Sequence, residues 1–98
     1  MSYELEFLEL AFAEWNRLDR SIAVRLRKKL ERRQIQPRLE NQRLTGSLAL
    51  CYKVRDDKSG YRLIYLVEED TRLLVVISIG QRRELEAYRV AAQRIIDR

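Results

Sequence analysis

Leu74, Val75, Val76 and Ile77 form an apolar run with no alternation. A run of this length and kind, bounded by turn residues, reads as a strand buried on both faces and therefore central in its sheet. Its neighbours in sequence extend the pattern. Strand-like segments over 49–56 and 61–68 precede it, separated by Asp56-Asp57-Lys58-Ser59-Gly60 and by Glu68-Glu69-Asp70-Thr71. Three consecutive strands with short turns specify an antiparallel meander. The strands are β2 (49–56), β3 (61–68) and β4 (72–79).

Upstream, Tyr3, Leu5 and Phe7 alternate with acidic residues, which predicts a half-buried strand β1 over 3–8. From Leu8 the spacing becomes helical. Leu8, Ala11, Phe12, Trp15 and Leu18 predict α1 over 8–18, and Ile22, Leu26 and Leu30 line one face of α2 over 21–34. Asp19 or Ser21 can cap α2. The short connection predicts an antiparallel helical hairpin covering one face of the sheet. Pro37 ends the helical region, and 37–48 read as a connection with Gly46 at a turn. After Gly80 the helical spacing returns at Leu85, Tyr88, Ala91, Ala92, Ile95 and Ile96, giving α3. The order β-α-α-β-β-β-α makes this an α/β (α+β) chain, and 98 residues are expected to form one domain, 1–98.

The chain carries 20 Lys and Arg against 15 acids, a formal net charge of +5, which favours a nucleic acid or an acidic protein partner. It has no histidine and one cysteine, Cys51, so an internal disulfide, a Ser-His-Asp triad and a zinc site of His and Cys are excluded. No cofactor or metal is expected. The first ten residues lack the positive start and apolar stretch of a signal peptide, and no apolar run is long enough to span a membrane. A cytoplasmic location is therefore expected, with no membrane partner.

The meander has a chemical consequence. It brings Arg55, Arg62 and Arg82 to one end of the sheet by topology alone. If Asp56 pairs with Tyr61, Arg55 lies opposite Arg62 on one face, and Lys53 shares that face. Like charges directly across a sheet are destabilising by roughly 0.2–1 kcal/mol. A structural sheet has no reason to gather them; a sheet that binds phosphate does. Each piece also has a plainer reading. A lone surface Arg is usually solvated, Tyr52, Tyr61, Tyr65 and Tyr88 suit core packing, and the cations of α2 suit a wet helix face.

The ordered set of segments is similar to the RelE family of bacterial toxins, within the RelE/ParE toxin–antitoxin superfamily. The resemblance runs through Glu14-Trp15, Lys28-Lys29-Leu30, Leu44-Thr45-Gly46, Cys51-Tyr52-Lys53-Val54, Ser59-Gly60-Tyr61-Arg62-Leu63, Gly80, Arg82-Arg83-Glu84 and Tyr88. It implies a RelE-like fold and a ribosome-dependent endoribonuclease that cuts messenger RNA in the A site. The 2′-OH would attack its own 3′ phosphate, leaving a 2′,3′-cyclic phosphate. Lys53, Arg62, Arg82 and Tyr88 match the family's functional positions in type. Arg55 stands where relatives usually carry lysine, and arginine is poorly suited to accept a proton.

The base is therefore expected to be Lys53 or Tyr88, with Arg55 stabilising charge. Arg17, Arg20, Arg25, Arg27, Lys28 and Arg32 are expected to meet ribosomal RNA. The resemblance also implies a RelB-like antitoxin, with operator DNA bound only by the toxin–antitoxin complex. Two other readings stay open: a ParE-type toxin directed at gyrase, and a non-catalytic nucleic-acid-binding or regulatory protein.

Overall fold

The structure, a computed structural model, describes residues 2–81 and 86–97. The elements follow in the expected order: β1 (Glu4–Phe7), α1 (Glu9–Asn16), α2 (Arg20–Ile35), β2 (Cys51–Asp56), β3 (Tyr61–Glu68), β4 (Leu73–Gln81) and α3 (Glu86–Asp97). The 37–48 connection contains short 3₁₀ turns at Glu40–Gln42 and Gly46–Leu48. Gly46 has φ 62°, a conformation glycine adopts without steric penalty. Asp19 stands at the N-cap of α2, but its side chain makes no capping hydrogen bond. The residue is exposed, so water can serve the free N–H groups of the first turn.

The sheet order is β1-β4-β3-β2. β4 pairs parallel with β1 and antiparallel with β3, which places the apolar run in the interior as its composition requires. The two faces carry separate cores. On one, Leu26 and Leu30 of α2 and Ala11 of α1 pack with Tyr52, Val54, Leu63, Tyr65, Leu74 and Val76. Trp15 packs against the same core and lies 5.5 Å from the Phe7 ring. On the other, Ala87 and Ala91 of α3 pack with Cys51, Ile64, Leu66, Val75 and Ile77. Burial on both sides is what lets the central strands dispense with alternation.

Two local features decide which side chains share the α3 face. First, Asp56 pairs with Tyr61 and closes the β2–β3 hairpin. The N–H groups of Ser59 and Gly60 both donate to the Asp56 carbonyl, and Gly60 has φ 83°. The buried Asp56 carboxylate is gripped by Arg25 of α2 through Nε at 2.7 Å and Nη2 at 2.8 Å, and it accepts from the Ser59 hydroxyl. Second, the β3–β4 ladder slips by one residue. Ile64 pairs with Ser78 and Tyr65 with Val76, so Ile77 has no partner on β3. Such a bulge turns the alternation over. Ile77 and Ser78 both face α3, and Ile79 then points to the opposite core. Gly80 therefore faces α3, opposite Arg62.

β2 is an edge strand, and α2 covers its outer rim with side chains. Arg33 donates to the Lys53 carbonyl at 3.0 Å, Lys29 to the Arg55 carbonyl, and Arg25 to the Asp56 carboxylate. These three cations follow i, i+4, i+8 spacing, one ridge of the helix lying antiparallel along the strand. The open carbonyls of the edge are thereby occupied.

The Arg25–Asp56 contact sets a pH limit. Arg25 holds the Asp56 carboxyl well below the usual carboxylate range, with the Ser59 hydrogen bonds adding to the effect. A depressed folded-state value means that the stabilisation is complete above the unfolded carboxyl pKa. It is lost as pH falls below that value toward the folded one. Asp56→Asn should lower the Tm by roughly 5–15 °C at neutral pH and flatten the acid limb of the stability curve. Thermal melts of wild type and variant between pH 2 and pH 7 measure both.

Candidate active site

Lys53, Arg55 and Arg62 come together on the α3 face, at the end of the sheet where the β2–β3 hairpin closes. Arg55 and Arg62 are direct cross-strand partners, and Lys53 pairs with Ile64, two residues further along β3. The Lys53 and Arg55 carbonyls point outward to Arg33 and Lys29. Both residues therefore sit at non-hydrogen-bonded positions of the ladder, where opposing side chains approach most closely.

Among the described residues, neither Lys53 nor Arg62 has a carboxylate partner. Arg55 is 3.8 Å from the exposed Asp57 carboxylate, a pairing that water screens strongly. The electrostatic result is visible at Lys53. Partial burial, Arg62 and Arg55, in that order of importance, all push its ammonium below the ordinary lysine pKa of 10.5. Each disfavours the protonated form, by desolvation or by like charge. A lysine in such a place gives up its proton more readily than one in water.

Tyr88 belongs to α3 and packs, half-buried, against the second core. The seat of α3 on β4 just before Tyr88 is set by Gly80. A Cβ at Gly80 would lie 3.2 Å from the Ala87 nitrogen, so the missing side chain lets α3 close on β4. Gly80 is the cross-strand partner of Arg62, and Ala87 precedes Tyr88. The Ser78 hydroxyl donates to the Ala87 carbonyl at 2.6 Å and fixes the same contact. Tyr88 is thus carried to the sheet end that holds Arg62. Arg82 lies outside the described residues.

The residues expected to meet RNA divide in two. Arg17, Arg20, Arg27, Lys28 and Arg32 are exposed. Arg25 differs from the expectation of a wet helix face. Its fork is occupied by Asp56, because 25, 29 and 33 form the ridge turned toward β2 rather than toward solvent. Arg32 joins Lys29, Arg33 and Arg55 along a groove of about 320 Å³ beside the β2 edge. Lys29 and Arg33 are not among the residues that the sequence points to as RNA contacts, although their spacing from Arg25 is visible there.

Among the described residues no cluster of His, Cys, Asp and Glu is placed to hold a metal ion. No helix among them is long and apolar enough to cross a membrane. The chemistry available on the α3 face is that of fixed positive charge, one amine of lowered basicity and a phenol. Such a set can bind a phosphodiester, stabilise charge developing on it and exchange a proton.

The chain matches relatives along nearly its whole length. The family described as ParE toxin of type II toxin–antitoxin system, parDE, matches residues 5–86. The mRNA interferase toxin RelE of Escherichia coli K12 is 40% identical over 96 residues, spanning 98% of this chain and 100% of that one. A mutant of the same E. coli toxin, solved in its free state, superposes with a TM-score of 0.89 at 39% identity, covering 97% of this chain and 99% of that one. The toxin in the intact E. coli RelBE toxin–antitoxin complex gives 0.79 at 39% identity, covering 82% of this chain and 96% of that one. By sequence and by fold, the chain belongs to the RelE family of toxins in the RelE/ParE superfamily.

Proposed function

We propose that residues 1–98 act as one RelE-like domain, the toxin of a type II toxin–antitoxin pair and a messenger RNA endoribonuclease working in the ribosomal A site. The observation that carries the assignment of the site is the directly opposed Arg55–Arg62 pair with Lys53 beside it on one face, Lys53 and Arg62 having no carboxylate partner among the described residues. Positive charge of this density has no role in holding the sheet together. It matches an RNA phosphodiester.

The reaction is attack of a ribose 2′-OH on the adjacent 3′ phosphate. The products are a 2′,3′-cyclic phosphate and a free 5′-OH. Lys53 serves as the base, because its lowered pKa provides neutral amine at a cellular pH more often than an ordinary lysine does. Arg62 stabilises the nonbridging oxygens of the phosphorane through its planar fork. Arg55 adds charge to the same oxygens and keeps Lys53 acidic. Arg82 serves the leaving 5′ oxygen; a guanidinium, with a reference pKa above ~12, passes a proton most easily through water. Tyr88 stacks on a base and holds the nucleotide in line.

The exposed cations Arg17, Arg20, Arg27, Lys28 and Arg32 contact ribosomal RNA, an attachment that weakens with salt. The partner that silences the toxin is a RelB-like antitoxin, and operator DNA is met only in their complex. The site of action is the cytoplasm. The matched family's description names ParE, which favours gyrase as the second reading. DNA breakage in intoxicated cells with messages left intact would select it.

Primer extension on translated messages after induction should show cuts phased to codons. Arg62→Ala should reduce single-turnover cleavage on programmed ribosomes by about 10²–10³-fold, with little change in ribosome affinity. Unchanged growth inhibition by this variant would remove Arg62 from the site. The pH–rate profile tests the base. The rate should rise with pH and level off near the folded-state pKa of Lys53. Arg55→Gln removes one repelling charge, so that pKa moves up and the rising limb shifts to higher pH.

A further inference from the structure

β1 ends too soon. It accompanies β4 only as far as Phe7 opposite Val76, with the Leu8 N–H donating to the Val76 carbonyl. Beyond that point the outer edge of β4 has no neighbouring strand among the described residues. Yet this is the stretch that bulges at Ile77, presents Gly80 to α3 and leads into Arg82. Its backbone polar groups are instead met by two side chains from opposite faces of the sheet. Glu14 of α1 accepts the Ile79 N–H through Oε1 at 3.0 Å. Arg94 of α3 donates to the Ile77 carbonyl through Nη1 at 2.8 Å.

The same two side chains join each other across the strand edge. Arg94 Nη1 donates to Glu14 Oε1 at 3.0 Å and Nη2 to Oε2 at 2.8 Å. Their side chains retain only 15% and 19% of their exposure, so the bidentate pair is shielded from solvent. One carboxylate and one guanidinium thus offer β4 an acceptor and a donor, as a continued β1 would.

We propose that Glu14 and Arg94 are positioning residues for RNA cleavage, replacing the missing length of β1 and fixing α3, with Tyr88, against the strand that faces Arg62. The inference rests on the reading of Lys53, Arg62 and Tyr88 as the cleavage site. Three independent contacts seat α3 on this part of β4: Gly80 against Ala87, Ser78 to the Ala87 carbonyl, and Arg94 to Ile77 and Glu14. Only the last ties α3 to α1 as well. It therefore sets the rotation of α3 about the Gly80 contact, and with it the distance from the Tyr88 ring to the Arg62 fork.

The test separates a positioning role from simple stability. Arg94→Lys keeps the charge but cannot span the Ile77 carbonyl and both carboxylate oxygens. Glu14→Gln keeps an acceptor for the Ile79 N–H and is the milder change. The exchange Glu14→Arg with Arg94→Glu restores opposite charges, but an arginine at 14 cannot accept from Ile79. Single-turnover cleavage on programmed ribosomes gives a maximal rate and a half-saturating ribosome concentration. For Arg94→Lys the maximal rate should fall by about 10–100-fold, the scale of a misplacement of about 1 Å, with half-saturation moving less than about 3-fold.

Glu14→Gln should fall between wild type and Arg94→Lys, and the charge exchange should not rescue. A maximal rate within 2-fold of wild type for folded Arg94→Lys, or full rescue by the exchange, overturns the inference. If wild type itself does not cut, the functional reading fails separately. The inference is then decided by the Tyr88 ring resonances. They should shift in Arg94→Lys while those of Tyr3, at the far end of the sheet, hold; unchanged Tyr88 signals overturn it.

Discussion

The Arg25–Asp56 ion pair is the contact on which the rest of the site depends. It fastens the first residue of the β2–β3 turn to α2, and the closure of Asp56 on Tyr61 then fixes the register of the whole hairpin. A slip of β2 by one residue would send Lys53 and Arg55 to the other face, into an apolar core, while Arg62, held by its pairing with Gly80 of β4, stayed behind. Asp56 points to the α2 face while Arg55 points to the α3 face. One residue anchors the strand, and the next carries the charge to be displayed. The Ser59 and Gly60 contacts to the same aspartate complete the closure.

This division explains how the sheet tolerates what it displays. Opposed arginines cost about 0.2–1 kcal/mol at a cross-strand site, while a well-aimed oxyanion donor is worth about 3–4 kcal/mol to a transition state. The local penalty is small beside the possible catalytic gain. Edge cations serve a different purpose from face cations. Arg25, Lys29 and Arg33 are engaged with β2 itself and hold it in place. Lys53 and Arg62 are left without carboxylate partners among the described residues. The cations that hold β2 in place thus lie along its edge, while Lys53 and Arg62 lie on the α3 face.

Much of this was legible in the sequence. The unbroken run at 74–77 placed β4 in the interior, and Ser59-Gly60 marked the turn that sets Arg55 against Arg62. The ordered motifs pointed to the RelE family. What stayed hidden was long-range or sub-periodic. The bulge at Ile77 leaves no trace in a run where every residue is apolar, yet it decides that Gly80 faces α3. The ridge of Arg25, Lys29 and Arg33 was visible as spacing, but nothing in the spacing says that a strand edge lies beneath it. Glu14 and Arg94 are 80 residues apart, and each alone reads as an ordinary charged residue on a helix. Arg82 falls outside the described residues.

Lys53 sits in the combined field of Arg62 and Arg55 on a half-buried face. An NMR titration of the Lys53 side chain in the free toxin tests it most directly. The amine should titrate below the ordinary lysine value of 10.5 and move upward when Arg62 is replaced by glutamine. A Lys53 that titrates at or above that value, and does not respond to the loss of Arg62, would show that the cations do not share one site.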